Sequence, residues 1–139
     1  MRLFGEINAD TDRLSPLVLA FIGDTVYDLL TRGYIIAEGN APVNRMHTRA
    51  KHIVNATAQS RAYSIIEPVL TEEEHTVLKR GRNAKSNTSA KNQSILDYRR
   101  ATGIEALFGW LYLKGEYERL EELYRLGTEE IYEKGQQKE

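Results

Sequence analysis

Two acidic residues stand out because each one interrupts an apolar stretch of sequence. Asp24 lies within LAFIGDTVYDLL, residues 19–30, and Glu105 lies within GIEALFGWLYL, residues 103–113. An ionised carboxylate is costly to bury unless it is paired, hydrogen-bonded or bound to a metal. Carboxylate oxygens are preferred ligands of Mg²⁺, which commonly keeps several waters and binds a substrate phosphate. If the two stretches meet in the fold, they predict a Mg²⁺ site suited to phosphoryl-transfer chemistry.

Glycines beside both acids indicate how two helices could bring them together. Gly23 directly precedes Asp24, and Gly109 lies one helical turn after Glu105. Glycine inside a helix costs up to about 1 kcal/mol relative to alanine, so it usually has a packing reason there. We expect these glycines to let two core helices approach closely, so that the two carboxylates face each other.

A basic segment, LKRGRNAKSNTSAKNQS at residues 78–94, contains no acid and is rich in asparagine and serine. Guanidinium, ammonium, amide and hydroxyl groups suit contacts to phosphate and ribose. The segment has no aromatic residue for stacking on unpaired bases, which favours an RNA duplex over a single strand. The alternative is a solvated loop that happens to be basic. The residues expected to bind RNA are Lys79, Arg80, Arg82, Asn83, Lys85, Ser86, Asn87 and Lys91.

The composition indicates one ordinary globular domain. The chain has 139 residues, of which 41% are hydrophobic and 28% charged, and its net charge of −1 conceals an acidic C-terminal part. It contains no cysteine, which excludes disulfides, thiol nucleophiles and Cys-ligated metals. With no signal-peptide pattern and no apolar run long enough to span a membrane, a cytoplasmic protein without membrane contact is expected.

Helical periodicity predicts an all-α domain of about five or six helices. Residues 17–23 are apolar on every side and are expected to be buried. An irregularity is expected near Thr102–Gly103 in the helix that carries Glu105. The predicted helices cover residues 16–37, 42–66, 71–80, 95–114 and 117–134, with a loop at 81–94 and a frayed tail at 135–139, all in a single domain, 1–139.

Taken together, these stretches resemble the catalytic domain of the ribonuclease III family. FIGDTV, residues 21–26, is similar to the family's signature helix F-L-G-D-A-V, and IEALFGWLYL, residues 104–113, is similar to its second acidic motif, F-E-A-L-I-G-A-L-Y-L. The resemblance is closest to the short Mini-ribonuclease III form, which lacks a double-stranded-RNA-binding domain and has an RNA-contacting loop like residues 79–91. It extends over nearly the whole chain.

The resemblance implies a homodimeric, helical endoribonuclease that cleaves both strands of double-stranded RNA. Asp24 and Glu105 would be its catalytic and metal-binding residues, with Mg²⁺ as the cofactor and Mn²⁺ as a substitute. The products would carry 5′-phosphate and 3′-hydroxyl ends. The implied substrate is the precursor of large-subunit (23S) ribosomal RNA, and a ribosomal protein is a candidate helper.

The chain departs from the family pattern at three acidic positions. The signature helix of the family has glutamates where this chain has Leu17 and Ala20, and the second motif has an acid where this chain has Thr102. A two-metal site would therefore need more ligands from water and RNA phosphate. Asp28 and Asp97 could contribute, but exposed helix positions explain them equally well.

Two further expectations concern association and rival functions. Five large apolar residues, named at the end of this paragraph, exceed what a monomer obviously needs to bury. This favours a dimer interface, although core packing is the alternative. One rival function is a non-catalytic RNA-binding member of the same fold. The other is a helical protein-interaction module whose acids pair with Arg32 or Arg49. The apolar set consists of Leu17, Phe21, Ile104, Phe108 and Trp110.

Overall fold

The computed structural model describes residues 7, 9–84 and 94–137, and within these residues the chain is helical without any β-strand. The predicted all-α class is confirmed. Two short 3₁₀ turns, Thr11–Arg13 and Glu67–Val69, accompany the α-helices. The α-helices are α1 (Pro16–Ala37), α2 (Val43–Ile53), α3 (Ala56–Ile66), α4 (Glu72–Asn83), α5 (Ile95–Leu113) and α6 (Tyr117–Gln137).

Helix α5 forms the centre of the molecule. It packs chiefly against α1, α4 and α3, and every residue from Ala101 to Leu111 except Glu105 is buried. A helix that is hydrophobic on all sides is stable only when neighbours cover it on all sides. Glu105 is therefore the single acid in the most enclosed part of the described fold.

Local capping signals set several helix boundaries as predicted. The Ser15 side chain accepts a hydrogen bond from the Val18 amide at 3.2 Å and caps α1. At the start of α4, Thr71 and Glu74 form the expected capping box, in which each side chain accepts from the backbone amide of the other. These caps satisfy amides that a helix start leaves without partners.

The prediction of one helix over residues 42–66 is wrong, because the chain breaks between α2 and α3. The Asn55 side chain accepts a hydrogen bond from the Ala58 amide and donates one to the Lys51 carbonyl, both at 2.8 Å. One amide group thus satisfies the end of α2 and the start of α3. Hydrophobic periodicity continues through the break and does not reveal it.

Three other boundaries differ from expectation. Helix α4 continues to Asn83, because Gly81 packs against α5, where a Cβ on it would lie 2.7 Å from the Ala106 Cβ. Helix α5 is continuous through Thr102–Gly103, so the predicted irregularity there is wrong. Helix α6 extends to Gln137, past the predicted start of the frayed tail, and residues 138–139 lie outside the described residues.

The expectation that residues 17–23 are buried on every side is wrong. Leu19 and Gly23 are buried against α5, but Leu17 is 40% exposed and Phe21 is 81% exposed. The reason is that α1 packs on the body of the protein with one face only. Within the predicted apolar set, Ile104, Phe108 and Trp110 belong to the core, so only Leu17 and Phe21 remain as surface residues.

Candidate functional site

The glycines predicted to bring two helices together lie where α1 crosses α5. A Cβ on Gly23 would overlap the Glu105 carbonyl oxygen and lie 2.8 Å from the Gly109 amide nitrogen. A Cβ on Gly109 would lie 3.0 Å from the Gly23 nitrogen and overlap the Leu19 carbonyl oxygen. Since Gly23 faces Glu105 and Leu19 faces Gly109, the helices run antiparallel and touch through their backbones.

This crossing places the Asp24 and Glu105 carboxyls in hydrogen-bonding contact. Asp24 is exposed and Glu105 is partly buried. Burial, followed by the hydrogen bond to Asp24 and its charge, raises the pKa of Glu105 to about 8. Without a cation, the Glu105 carboxyl is therefore largely protonated near neutral pH.

The donor set of this pair fits a hard divalent cation. Within the described residues, no lysine or arginine forms an ion pair with Asp24 or Glu105, and no group of three or more acids or histidines could hold a metal. Two carboxylates completed by water and phosphate oxygens form the kind of site that Mg²⁺ takes. The residues present therefore fit Mg²⁺ with two protein side chains as ligands.

The other acids of the region lie outside this pair. The Asp28 carboxylate accepts a hydrogen bond from the Arg32 Nε at 3.0 Å, one turn further along α1. Asp97 lies in the first turn of α5, where its amide donates to the Ser94 hydroxyl. The Thr102 hydroxyl donates to the Tyr98 carbonyl at 3.0 Å.

Tyr27 is a core residue close enough to Glu105 to be affected by its charge, and the sequence reasoning missed it. It is buried in the core, with its ring 5.0 Å from that of Phe108 and 5.2 Å from that of Tyr124. Burial, then the nearby Tyr124 and Glu105, all raise the pKa of Tyr27, so its phenol stays neutral. Its position three residues after Asp24, on the inner side of α1, was the available signal.

The described part of the basic segment is divided between two sides of α4. Lys79 and Arg80 are exposed, and Arg80 lines an open cavity of about 380 Å³ beside Trp110 and Lys114. Arg82 instead donates to the Tyr63 hydroxyl at 3.0 Å and to the neighbouring Asn83 side chain at 3.1 Å. The expected RNA contacts at Lys85, Ser86, Asn87 and Lys91 lie outside the described residues.

The protein-interaction alternative predicted that Arg32 or Arg49 pairs with the two acids, and the fold shows other partners for both arginines. Arg32 pairs with Asp28, and Arg49 pairs with Glu38 at 2.9 Å, so neither of them neutralises the Asp24–Glu105 pair. That removes the pairing on which the protein-interaction alternative depended.

Among the described helices, none combines the length and hydropathy needed to cross a bilayer.

Comparison with known proteins gives consistent results. Residues 17–116 match the Ribonuclease III domain model. The Mini-ribonuclease 3 of Clostridium tetani is 50% identical over 94% of this chain and 86% of its own length. The Mini-ribonuclease 3 of a Thermoanaerobacter species is 50% identical over 86% of this chain and 84% of its own length. A crystal structure of a Fusobacterium nucleatum protein superposes with a TM-score of 0.78 at 30% identity, covering 93% of this chain and 99% of that one.

These matches extend over both acidic motifs and over the glycine crossing that joins them. They also cover most of the length of the relatives, so no large part of those proteins is unmatched here. The chain therefore belongs to the ribonuclease III family of endoribonucleases, in its Mini-ribonuclease III branch.

Proposed function

We propose that Asp24 and Glu105 are the catalytic residues of an Mg²⁺-dependent endoribonuclease that hydrolyses both strands of double-stranded RNA. The observation that carries the proposal is the contact between their two carboxyls across the glycine crossing of α1 and α5. Perturbed acids with a named partner are typical of functional sites. The family assignment supports the same reaction class.

The side chains of the pair have different tasks in this mechanism. Asp24 is exposed, so an RNA phosphate can reach it, while the part-buried Glu105 is held in place by the central helix. When bound, Mg²⁺ polarises the phosphate and lowers the pKa of the attacking water. The acidic pair does not attract a bare phosphate by itself, and a bound cation would supply the positive charge that does. Mn²⁺ also accepts oxygen ligands and is the expected substitute.

The products follow from which bond breaks. Water adds its oxygen to phosphorus, the bond between phosphorus and the 3′-oxygen breaks, and a proton goes to that oxygen. One fragment then ends in a 5′-phosphate and the other in a 3′-hydroxyl. This outcome distinguishes the proposed hydrolysis from cleavage through a 2′-hydroxyl, which leaves the phosphate on the 3′ side.

The substrate is expected to be a precursor of large-subunit (23S) ribosomal RNA, bound through its duplex regions. Lys79 and the rest of the basic segment supply contacts to backbone phosphates, which carry no base sequence. Selection of one RNA then depends on duplex shape. A ribosomal protein that holds the precursor in the right shape is the candidate helper.

A homodimer is the expected working form. Leu17, Val18 and Phe21 form an exposed apolar stripe on the first turns of α1, and Leu29 extends it. Contiguous apolar surface of this kind marks protein interfaces, and a two-fold axis lets one patch bind its own copy. The stripe lies on the same helix as Asp24, so the dimer would place two carboxylate pairs on one assembly.

The test is cleavage of an end-labelled RNA duplex, with Mg²⁺ or with a chelator, beside single-stranded RNA and duplex DNA. Asp24→Asn and Glu105→Gln should each lower the cleavage rate by at least about 1,000-fold, because a catalytic metal supplies several kcal/mol of transition-state stabilisation. Both variants should still bind duplex RNA. Asp28→Asn is the matched control and should retain most activity, since Asp28 pairs with Arg32.

Two results would contradict the proposal. Near wild-type cutting by Asp24→Asn or Glu105→Gln would remove the pair from the mechanism. Mg²⁺-independent binding by the wild type without any cutting would instead favour the non-catalytic RNA-binding alternative.

A further inference from the structure

A long stretch of the chain around α2 contains no acid. Between Glu38 and Glu67, residues 39–66 include no aspartate or glutamate, although the whole chain has 20 of them among 139 residues. Charge runs of one sign commonly mark surfaces for partners of the opposite sign. The cationic and histidine residues of this stretch are Arg45, His47, Arg49, Lys51, His52 and Arg61.

Two of the three cationic residues of α2, Arg45 and Lys51, lie on its outer face. Met46 and Arg49 are partly buried and Ile53 is fully buried, which fixes the inner face. Arg49 ties the helix to the body, because it pairs with Glu38 at 2.9 Å and lies 5.2 Å from the centre of the Tyr132 ring. The outer face from residue 44 onward is wholly polar and consists of Asn44, Arg45, His47, Thr48, Lys51 and His52, all exposed.

Two cations on this face are not neutralised by neighbours. In the described part of the chain, the Arg45 and Lys51 side chains take part in no ion pair, unlike Arg49 in the same helix. The only exposed large apolar residue of α2 is Val43 at its first position, which is too small a patch to suit a protein partner. Cations mixed with amide and hydroxyl groups are what backbone phosphate and ribose contacts require.

The topology places this face towards the same end of the molecule as the C-terminal end of α4, which carries the described residues of the basic segment. Since α1 and α5 are antiparallel, the C-terminal end of α1 and the N-terminal end of α5 lie on the same side of their crossing. Gly81 packs on Gly103, which brings the C-terminal end of α4 towards that end as well. The end of α1, after which α2 follows, lies about 20 Å from Asp24 by the helical rise. Duplex RNA can contact a protein over more than this length.

We propose that the outer face of α2 is a second contact surface for the phosphate backbone of duplex RNA. Arg45 and Lys51 bind phosphates to one side of the cleaved bond, while the basic segment supplies the other contacts. The inference rests on the proposed function, because it concerns the same substrate. It adds a binding surface from a separate helix and assigns it a role in affinity without a role in the chemical step.

The test compares a double variant, Arg45→Ala with Lys51→Ala, with the wild type. The duplex affinity should fall, and the slope of log affinity against log salt should flatten by about two units, because about one released counterion is lost with each phosphate contact. KM for duplex RNA should rise about tenfold, and kcat at saturating RNA should stay unchanged. Binding is measured by fluorescence anisotropy in the inactive Asp24→Asn background.

Two control proteins make the result specific. Arg13→Ala with Arg125→Ala removes the same charge from exposed positions outside α2 and should leave the salt slope close to wild type. The exchange of Arg45→Lys with Lys51→Arg keeps both charges and should preserve the affinity. Unfolding midpoints are compared for all variants, because exposed helix positions should tolerate these changes.

The inference is overturned if the alanine double variant shows the same KM and salt slope as the Arg13 and Arg125 control. A fall in kcat with an unchanged KM would also overturn it, since that would place α2 in the chemical step. Failure of the proposed function looks different, because then the wild type itself would not cut duplex RNA in Mg²⁺.

Discussion

At Glu105, burial and the neighbouring Asp24 act in the same direction, since both favour the protonated acid. Unfolding of the protein removes both effects and lowers the pKa of Glu105. Binding of a cation to the pair would also displace the proton. This property makes the site measurable without RNA. Stability against pH, with and without Mg²⁺, reports directly on the pair.

We predict that the metal-free protein loses stability between pH 5 and pH 8. The pKa of Glu105 is about 8 in the fold, well above the ordinary value of about 4.5 for a glutamate. Between those values the folded state binds more protons than the unfolded state, so the free energy of unfolding falls as the pH rises. Glu105→Gln should flatten this dependence and stabilise the metal-free protein at pH 8 by a few kcal/mol.

The measurement is urea unfolding in chelator across this pH range. Glu130→Gln, on an exposed position of α6, is the control and should keep the wild-type pH profile. Addition of Mg²⁺ at pH 8 should stabilise the wild type more than Glu105→Gln. A parallel profile for wild type and Glu105→Gln would show that the carboxyls do not interact.

At the residue scale, the sequence predicted that Asp24 and Glu105 face each other, as they do in the fold, while their catalytic role stays a prediction. Asp24 and Glu105 were found because each is an isolated acid in an apolar run beside a glycine, which is a local signal. Tyr27 was missed because tyrosine in a helix is ordinary core material. The differing environments of Arg80 and Arg82 were also missed, because they depend on the phase of α4 beyond its predicted end.

At the scale of helices, prediction succeeded where the boundary is encoded by a cap. Ser15 and Thr71 mark the starts of α1 and α4 through side-chain hydrogen bonds between near neighbours. The break at Asn55 was missed, because an asparagine within a periodic pattern is compatible with a continuous helix. The exposed side of α1 was missed because an apolar residue faces inward or outward depending on which helices pack against it, which is tertiary information.

The α1–α5 crossing gives a prediction about glycine. Gly23→Ala should destabilise the protein by about 3 kcal/mol or more, because the new methyl group overlaps the Glu105 carbonyl and cannot be accommodated by a rotamer change. It should also abolish cleavage at temperatures where the variant is folded, since the two carboxyls separate. Thermal unfolding and duplex cleavage are measured together.

Gly33→Ala provides the matched control in the same helix. No atom lies within 4 Å of a Cβ built there, so alanine should stabilise α1 by up to about 1 kcal/mol and leave activity intact. Equal effects of the two substitutions would contradict the assigned role of the crossing.

For the whole molecule, the near-zero net charge hides two oppositely charged parts. Residues 39–66 carry no acid, whereas the exposed positions of α6 are rich in glutamate. The sequence predicted only part of this separation, namely the basic segment at 78–94 and the acidic C-terminal part. An orientation of duplex RNA on the basic side, with α6 turned away from it, is the expected consequence.

The proposed dimer gives a prediction at the same scale. Phe21→Glu should convert the dimer into a monomer, because Phe21 is 81% exposed in the single chain and a charge there opposes burial against a second copy. Val69→Glu, at an exposed apolar residue outside α1, is the control and should remain dimeric. Molar mass is measured by light scattering after size exclusion, and an unchanged mass for Phe21→Glu would exclude this interface.

The close backbone packing of α1 and α4 on α5 has a consequence for protein engineering. Main-chain atoms of α1 touch it on one side and those of α4 on another, through Gly23, Gly81, Gly103 and Gly109. Backbone contact at these glycines limits how the helices that carry Asp24 and Glu105 can move relative to each other. Substitution of aliphatic and aromatic core residues for heat tolerance should therefore preserve the distance between the two acids, provided that these glycines remain.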